Sequence, residues 1–404
     1  MINLDIPRKF KPLVNQAREA AQEILRPISR KYDQAEHARP VELDMLAALL
    51  DGMNEGSLDG GAGAAGVRRD VASTDANSNR NGSNLSTALS VMEMSWGDVG
   101  MLLSMPRQGL GNAAIASVAN DDQLARFKGR WAAMAITEPG CGSDSAAIRT
   151  TARLDGDEYV LNGEKIYVTS GDRAELVVVW ATLDRSLGRA AIKSFVVEKG
   201  TPGFELVRLE HKLGIRSSDT AAFLLKDCRV PKANLMGDPD INPEKSFAGV
   251  MQTFDNTRPL VAAMAVGLTR ACLDEMGSIL KANGVSIDYN RPSHMQASVV
   301  AEYIRMQADY EASRLLTMKA AWMADNSQPN SLEASLAKAK AGRTCVDVAL
   351  KCVELAGSVG YTETSLLEKW ARDAKILDIF EGTQQIQLLI IARRLLGKSS
   401  AELK

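Results

Sequence analysis

Between residues 131 and 230 the 404-residue chain drops the helical spacing that governs both of its flanks, and this switch of period points to an α+β architecture. Within that stretch Tyr159-Val160-Leu161 and residues 165–169 flank Asn162-Gly163, a dipeptide suited to the positive φ angles of a two-residue hairpin turn. Asp155-Gly156 is a second turn of that kind. The runs Leu176-Val177-Val178-Val179-Trp180 and Ser194-Phe195-Val196-Val197 are rich in β-branched residues, and Thr201-Pro202-Gly203 closes another turn. Short strands over the whole stretch predict a compact β-barrel or sandwich.

Both flanks read as helix. Residues 8–54 are dominated by Ala, Gln, Glu, Leu and Arg. Residues 85–125 return to helix, with a break near Pro106 and Gly109. After Pro231 the helical period lasts to the end. Val299, Tyr303, Met306 and Tyr310 recur at helical spacing and form one apolar face, read as core, and Ile386, Leu389, Ile390 and Leu396 form another. Four long helices in a bundle are expected. The chain thus divides into a helical unit at 1–130, a β unit at 131–235 and a four-helix unit at 236–404. Residues 56–84 are rich in Gly, Ser and Asn and read as a long mobile loop, either a plain surface insertion or a lid over a pocket.

Bulk properties exclude several classes. A formal net charge of −2 and 5% aromatic residues argue against a nucleic-acid binder. No apolar run approaches membrane-spanning length, and the first ten residues lack the apolar core of a signal peptide. Five cysteines without a CxxC pair suit a reducing compartment, and a cytoplasmic location is expected. His37, His211 and His294 lie far apart with no metal-ligand spacing, so no metal is expected.

Two local motifs carry chemistry. In Ala135-Ile136-Thr137-Glu138-Pro139-Gly140-Cys141-Gly142-Ser143-Asp144 an apolar strand runs into hydroxyls and glycines, so backbone N–H groups can approach a ligand closely. It has neither the Gly-Lys-Ser/Thr of a Walker loop nor the GxGxxG of a dinucleotide fold; a plain Gly/Ser turn is the competing reading. In Ile379-Phe380-Glu381-Gly382-Thr383-Gln384-Gln385-Ile386 an acid between Phe380 and Gly382 ends an apolar run. Partial desolvation there would raise its pKa, as a general base requires. The helix opening at Thr383 presents N–H groups suited to an anion. The competing reading is an ordinary helix cap with a solvated glutamate.

Together these segments resemble the acyl-CoA dehydrogenase family. The first motif, extended to Ala147, matches the family signature, and residues 381–387 resemble its catalytic Glu-Gly-Thr-x-Gln-Ile-Gln segment. Phe254-Asp255-Asn256-Thr257-Arg258-Pro259 resembles the substrate-helix motif. Gly357-Ser358-Val359-Gly360-Tyr361 with Arg372-Asp373-Ala374-Lys375 resembles the second signature, although Thr364 stands where an acid or amide is usual. Asn162-Gly163-Glu164-Lys165 and Val230-Pro231 fall in the expected order. The resemblance covers about residues 85–397.

The resemblance implies an N-terminal helical domain, a middle β domain, a C-terminal four-helix domain, and FAD as cofactor. It implies that Ala135, Ile136, Thr137 and Gly142 border the flavin pyrimidine edge. Thr169 would donate near flavin N5, with Val168 beside it and Tyr167 packing on the ring. Thr383, Gln385, Gln296 and Gly357 would serve the rest of FAD. Ser143, Asp255, Arg258 and Gly382 would bind the acyl-CoA substrate. Glu381 would remove the α-proton while the β-hydride moves to flavin N5, giving a trans-2-enoyl-CoA. An electron-transferring flavoprotein would accept the electrons. Some branches place the base near Thr257, which cannot serve here.

Two positions depart from the family pattern. Val285 stands where many relatives carry an arginine aimed at the neighbouring subunit's FAD pyrophosphate, and Glu354 replaces a glutamine near the adenosine half. Losing the guanidinium removes a charge-assisted contact. Three readings stay open: Arg291 takes over, FAD binds more weakly, or a homotetramer gives way to a heteromeric assembly whose partner subunit supplies the arginine. A non-catalytic acyl-CoA-binding paralogue, an oxidase and an enoyl-CoA reductase are the rival functions.

Overall fold

The computed structural model describes residues 6–54, 82–106, 110–241, 248–399 and 402, with the side chains of residues 49–54 and 248–256 outside that description. The expected loop at 56–84 therefore lies almost wholly outside the described residues.

The N-terminal helices are α1 (Lys11–Ala20), α2 (Arg26–Gln34), α3 (Glu42–Asn54), α4 (Ser83–Gly97), α5 (Val99–Leu103), α6 (Leu110–Val118) and α7 (Asp121–Phe127), with a π-turn joining α1 to α2. Local chemistry sets several of their ends. The Asn120 side chain accepts from the Gln123 N–H while Gln123 Oε1 accepts from the Asn120 N–H, a reciprocal cap that starts α7. Asp98 caps α5 by accepting from the Met101 N–H.

Seven strands follow: β1 (Ala132–Ala135), β2 (Thr151–Asp155), β3 (Glu158–Thr169), β4 (Leu176–Thr182), β5 (Ile192–Glu198), β6 (Phe204–Leu209) and β7 (Thr220–Pro231). They form one sheet in the order β1-β4-β2-β3-β7-β6, with β5 on β4. Asp155-Gly156 makes the β2–β3 hairpin, with Gly156 at φ +64°. Asn162-Gly163 is not a turn, contrary to expectation. β3 runs straight through it with a bulge against β7. A Cβ at Gly163 would lie 2.4 Å from Thr150 Oγ1, so the glycine serves a close backbone approach. Asn162 instead braces β7, its side-chain oxygen accepting from the Asp227 N–H at 2.8 Å.

The C-terminal helices are α8 (Ala248–Ala282), α9 (Ser298–Asp325), α10 (Ser331–Ala356), α11 (Ser358–Tyr361), α12 (Leu367–Leu377) and α13 (Gln384–Leu396). Tyr303 and Met306 are buried in the main helical core, and Val299 and Tyr310 pack against it. The first three long helices are continuous, whereas the last part of the bundle is divided between α12 and α13 by the turn that carries Glu381. The apolar face read in α13 is not fully buried within this chain: Leu389 and Leu396 are exposed and Ile386 and Ile390 are half-buried, with Leu388 and Leu395 of the same helix also exposed.

A buried ionic junction ties the three regions together. The Lys369 ammonium, on α12, donates to Asp98 at 2.8 Å and to Asp373 at 2.5 Å. The other Asp373 oxygen accepts from the Ile215 N–H in the β6–β7 loop, and the Ser29 hydroxyl of α2 donates to Asp98. All three charged side chains are essentially inaccessible. Burial alone would lower the Lys369 pKa, but the two carboxylates outweigh it and raise it. Removing one partner strands the other charges in a dry site, which typically costs about 3–5 kcal/mol. Lys369→Met should lose stability on that scale in denaturant unfolding, and the loss should exceed that of Lys351→Met, whose pair with Glu354 is exposed.

Candidate active site

The turn between α12 and α13 is held in a conformation that few residues adopt. Glu381 has φ +55° and Gly382 φ +94°. Glycine suits that φ, and a Cβ at Gly382 would lie 2.5 Å from Gln387 Nε2 and push that amide aside. Two buried side chains fasten the turn from below. Lys338 on α10 donates to the Gly382 carbonyl at 2.7 Å, and Gln387 on α13 donates to the carbonyls of Glu381 and Gly382, each at 3.2 Å. Thr383 caps α13 by accepting from the Ile386 N–H. Positive φ at a glutamate costs of order 1–3 kcal/mol and persists only where the surroundings over-determine it, as they do here.

The Glu381 carboxylate meets a polar, cationic setting. Its Oε2 accepts a short hydrogen bond from the Thr257 hydroxyl of α8. Burial pushes the Glu381 pKa up, against the Thr257 hydrogen bond and the charges of Arg258 and Lys338, which pull it down. Burial in turn lowers Lys338 to about 8, against the pull of Asp378 and Glu381. The result is a carboxylate of raised basicity, oriented through one oxygen.

The second cluster lies on the sheet. Glu138, at the centre of the first motif, is buried and accepts from the Arg149 and Thr150 N–H groups, the Thr150 hydroxyl and Lys165 Nζ, the last at 2.8 Å. Burial opposes ionisation of Glu138, but Lys165 and these hydrogen bonds win and hold its pKa below the usual range. This pair shapes the loop after β1. Residues 139, 140 and 142–144 stand exposed around it, Thr137 is half-buried, and Gly140 has open space around it. The Ile166 N–H donates to the Thr137 carbonyl at 3.0 Å, which joins the loop to β3.

Beside that joint β3 bulges again, and Tyr167, at φ +57°, is 62% exposed between the buried Lys165 and Val168. An aromatic ring held in solvent on a disfavoured backbone, next to the half-buried Thr169 and an open glycine loop, fits a flat aromatic ligand such as a flavin.

The expected residues are therefore brought into two groups. Glu381, Gly382, Thr383 and Arg258 gather at the helical turn, and Ala135, Ile136, Thr137, Gly142, Ser143, Tyr167, Val168 and Thr169 gather on the sheet. Gln385 is exposed on the first turn of α13, and Gly357 (φ +60°) ends α10. Gln296 braces the α8–α9 loop, donating to the Asp288 and Arg291 carbonyls at 2.9 Å. The Asp255 side chain lies outside the described residues. Arg258 is almost fully buried, with its charge bearing on Glu381. Val285 packs against the helical core, and Arg291 is exposed. Sequence reasoning missed Lys338 and gave Gln387, the last residue of the 381–387 segment, no role of its own. Lys338 shares the alanine-rich stretch Ala334–Gly342 with Lys340, so the sequence offered two lysines among mostly small residues and no means of choosing the buried one.

Comparison with known proteins identifies the family. The family description "Acyl-CoA dehydrogenase, middle domain" matches residues 133–228, and "Acyl-CoA dehydrogenase, C-terminal domain" matches residues 247–396. The mitochondrial short-chain specific acyl-CoA dehydrogenase of Bos taurus is 32% identical over 395 residues, 98% of this chain and 92% of that protein. Its Rattus norvegicus counterpart is 37% identical over 282 residues, a match covering 70% of this chain and 65% of the rat protein's length. The butyryl-CoA dehydrogenase of Megasphaera elsdenii superposes with a TM-score of 0.82 at 27% identity, covering 98% of this chain and 100% of that one. The chain belongs to the acyl-CoA dehydrogenase family, a family of FAD-dependent oxidoreductases that includes enzymes of fatty acid β-oxidation. Among the described residues, no helix is long and apolar enough to cross a membrane.

Gly382→Ala tests the turn directly. It should cost at least about 1 kcal/mol in denaturant unfolding, since alanine meets both an unfavourable φ and the Gln387 amide. Alanine at Gly140, where nothing lies within reach, should be tolerated.

Proposed function

We propose that the protein removes hydrogen across the α,β bond of an acyl-CoA thioester to give a trans-2-enoyl-CoA, with Glu381 as the base for the α-proton. The observation that carries this reading is Glu381 itself, a carboxylate of raised pKa on a strained turn fastened by Lys338 and Gln387. Raised basicity matches a base to its proton, and the Thr257 hydrogen bond fixes one oxygen so that the other can face the substrate. The Glu381 N–H, oriented by the same turn, is the protein donor assigned to the thioester oxygen, where negative charge develops. FAD, when bound, supplies the acceptor for the β-hydride.

Thr137 with its neighbours Ala135, Ile136 and Gly142, together with Tyr167, Val168 and Thr169, would hold the flavin. Thr383, Gln385, Gln296 and Gly357 would serve the remainder of FAD, and Ser143, Asp255, Arg258 and Gly382 the acyl-CoA. The names of the relatives support a short acyl group, and family membership supports an electron-transferring flavoprotein as acceptor. The family matches and the strand positions support units at 1–130, 131–235 and 236–404. Five free cysteines support a reducing, cytoplasmic setting.

Assembly is the second part of the proposal. The exposed apolar face of α13 suits burial in a homotetramer. A heteromeric form has its own support: Val285 offers no cation, and its side chain serves the core instead. Mass measurement of the chain expressed alone separates the two, a colourless or monomeric product pointing to a missing partner.

Glu381→Gln should retain acyl-CoA binding while exchange of the α-proton with deuterated solvent, followed by NMR, falls to background; undiminished exchange would remove Glu381 from the role of base. Lys338→Met gives a pH test. Removing that cation raises the Glu381 pKa further, so the acidic limb of kcat/KM should shift to higher pH, and an unmoved limb would disconnect Lys338 from the base.

A further inference from the structure

Two of the three histidines in the chain, remote in sequence, meet in space beside a glutamate. His37 follows α2, and His211 follows β6. One ligand atom each from Glu36, His37 and His211 all lie within 4.8 Å of one another. The rings of His37 and His211 are 4.9 Å apart and tilted. His211 Nδ1 lies 2.9 Å from Glu36 Oε2, while the other Glu36 oxygen accepts from the Lys212 N–H at 2.9 Å. The backbone of the β6–β7 loop thus aims the glutamate at the two imidazoles.

His37 has no evident structural occupation. Both of its ring nitrogens are shut off from solvent, and neither has a hydrogen-bond partner. Buried imidazole nitrogens normally find one, and a metal ion would satisfy one of the two, leaving the other as an N–H donor. The residue is also held at φ +70°.

We propose that Glu36, His37 and His211 form a divalent transition-metal site, of the zinc class, that clasps the end of the N-terminal helical pair to the β6–β7 loop. Imidazole nitrogen with one carboxylate is a zinc-type donor set, and three protein ligands with water complete a tetrahedron. Donors around such an ion sit about 3.3 Å apart, given metal–ligand lengths of about 2.0–2.1 Å. The required contraction is available because His211 is exposed and can swing its ring inward. The nearby charges are mixed: Lys212 and Arg173 oppose a cation, and Asp219 and Glu36 favour it.

The site's consequence is positional. Arg173 donates to the Ala38 carbonyl next to His37 and pairs with Asp219, whose carbonyl accepts the Ser170 N–H just beyond Thr169. A metal at His37 would therefore stiffen the loop that backs the β3 end of the sheet cluster, without touching the reacting groups.

The test uses the full chain, free of any affinity tag and stripped by chelator, titrated with Co²⁺ and Zn²⁺ against a chromophoric competitor. We expect one equivalent bound per chain, visible Co²⁺ ligand-field absorption, and a raised Tm on Zn²⁺ addition. His211→Ala, which alters an exposed side chain, and His37→Ala should each weaken binding by more than the roughly 10–100-fold that loss of an outer-sphere partner costs. Circular dichroism checks that each variant is folded. Binding no tighter in the parent than in the folded His37→Ala/His211→Ala double variant would overturn the proposal, as would one-equivalent binding that survives in that variant.

Discussion

The ionic junction at Lys369 is the constraint on which the rest of the molecule depends. It sits where α2, α5, the β6–β7 loop and α12 converge, and it places two carboxylates around one ammonium with no access to water. A hydrophobic cluster of the same size would add stability more simply. The charged version adds geometry: each carboxylate oxygen accepts from a named partner, so helices and sheet are docked in a single register. Around it Arg372 reaches Asp33, Glu368 and the Leu213 carbonyl, reinforcing the same three-way contact. Gly214 lies so close to the Arg372 backbone that any side chain there would collide.

That docking matters because the candidate site is built from two separately shaped pieces. One is the α12–α13 turn, whose strain is held by Lys338 and Gln387. The other is the loop after β1, wrapped around the Glu138–Lys165 pair. Each piece hides a buried charge that never meets substrate in this account: Lys338 holds the strained turn, and the Glu138–Lys165 pair gathers the loop around itself. Function here rests on residues of ordinary type made unusual by what lies beneath them.

How much of this was legible follows from the range of each interaction. The helical, β, helical order was readable because hydrophobic period is a local property of the chain. Asp155-Gly156 was readable as a turn for the same reason. Asn162-Gly163 was misread because the need for glycine comes from Thr150 pressing on the strand, a tertiary fact that the dipeptide does not record. The apolar face of α13 was correctly seen as apolar, but its burial within the chain does not follow from periodicity. Glu381 was legible through its motif. Lys338 was hidden, since its partner lies far along the chain on another element, and helical spacing says nothing of such a meeting. The meeting of His37 and His211 was hidden for the same reason, since the two residues lie on separate elements far apart in the chain.

The most direct test of the central claim is the visible spectrum of the purified chain, recorded anaerobically before and after addition of butyryl-CoA and longer acyl-CoAs. The account predicts an oxidised flavin spectrum that bleaches with at least one of them as hydrogen leaves the α,β bond. A flavin-loaded protein that binds these thioesters and stays fully oxidised with all of them would contradict it.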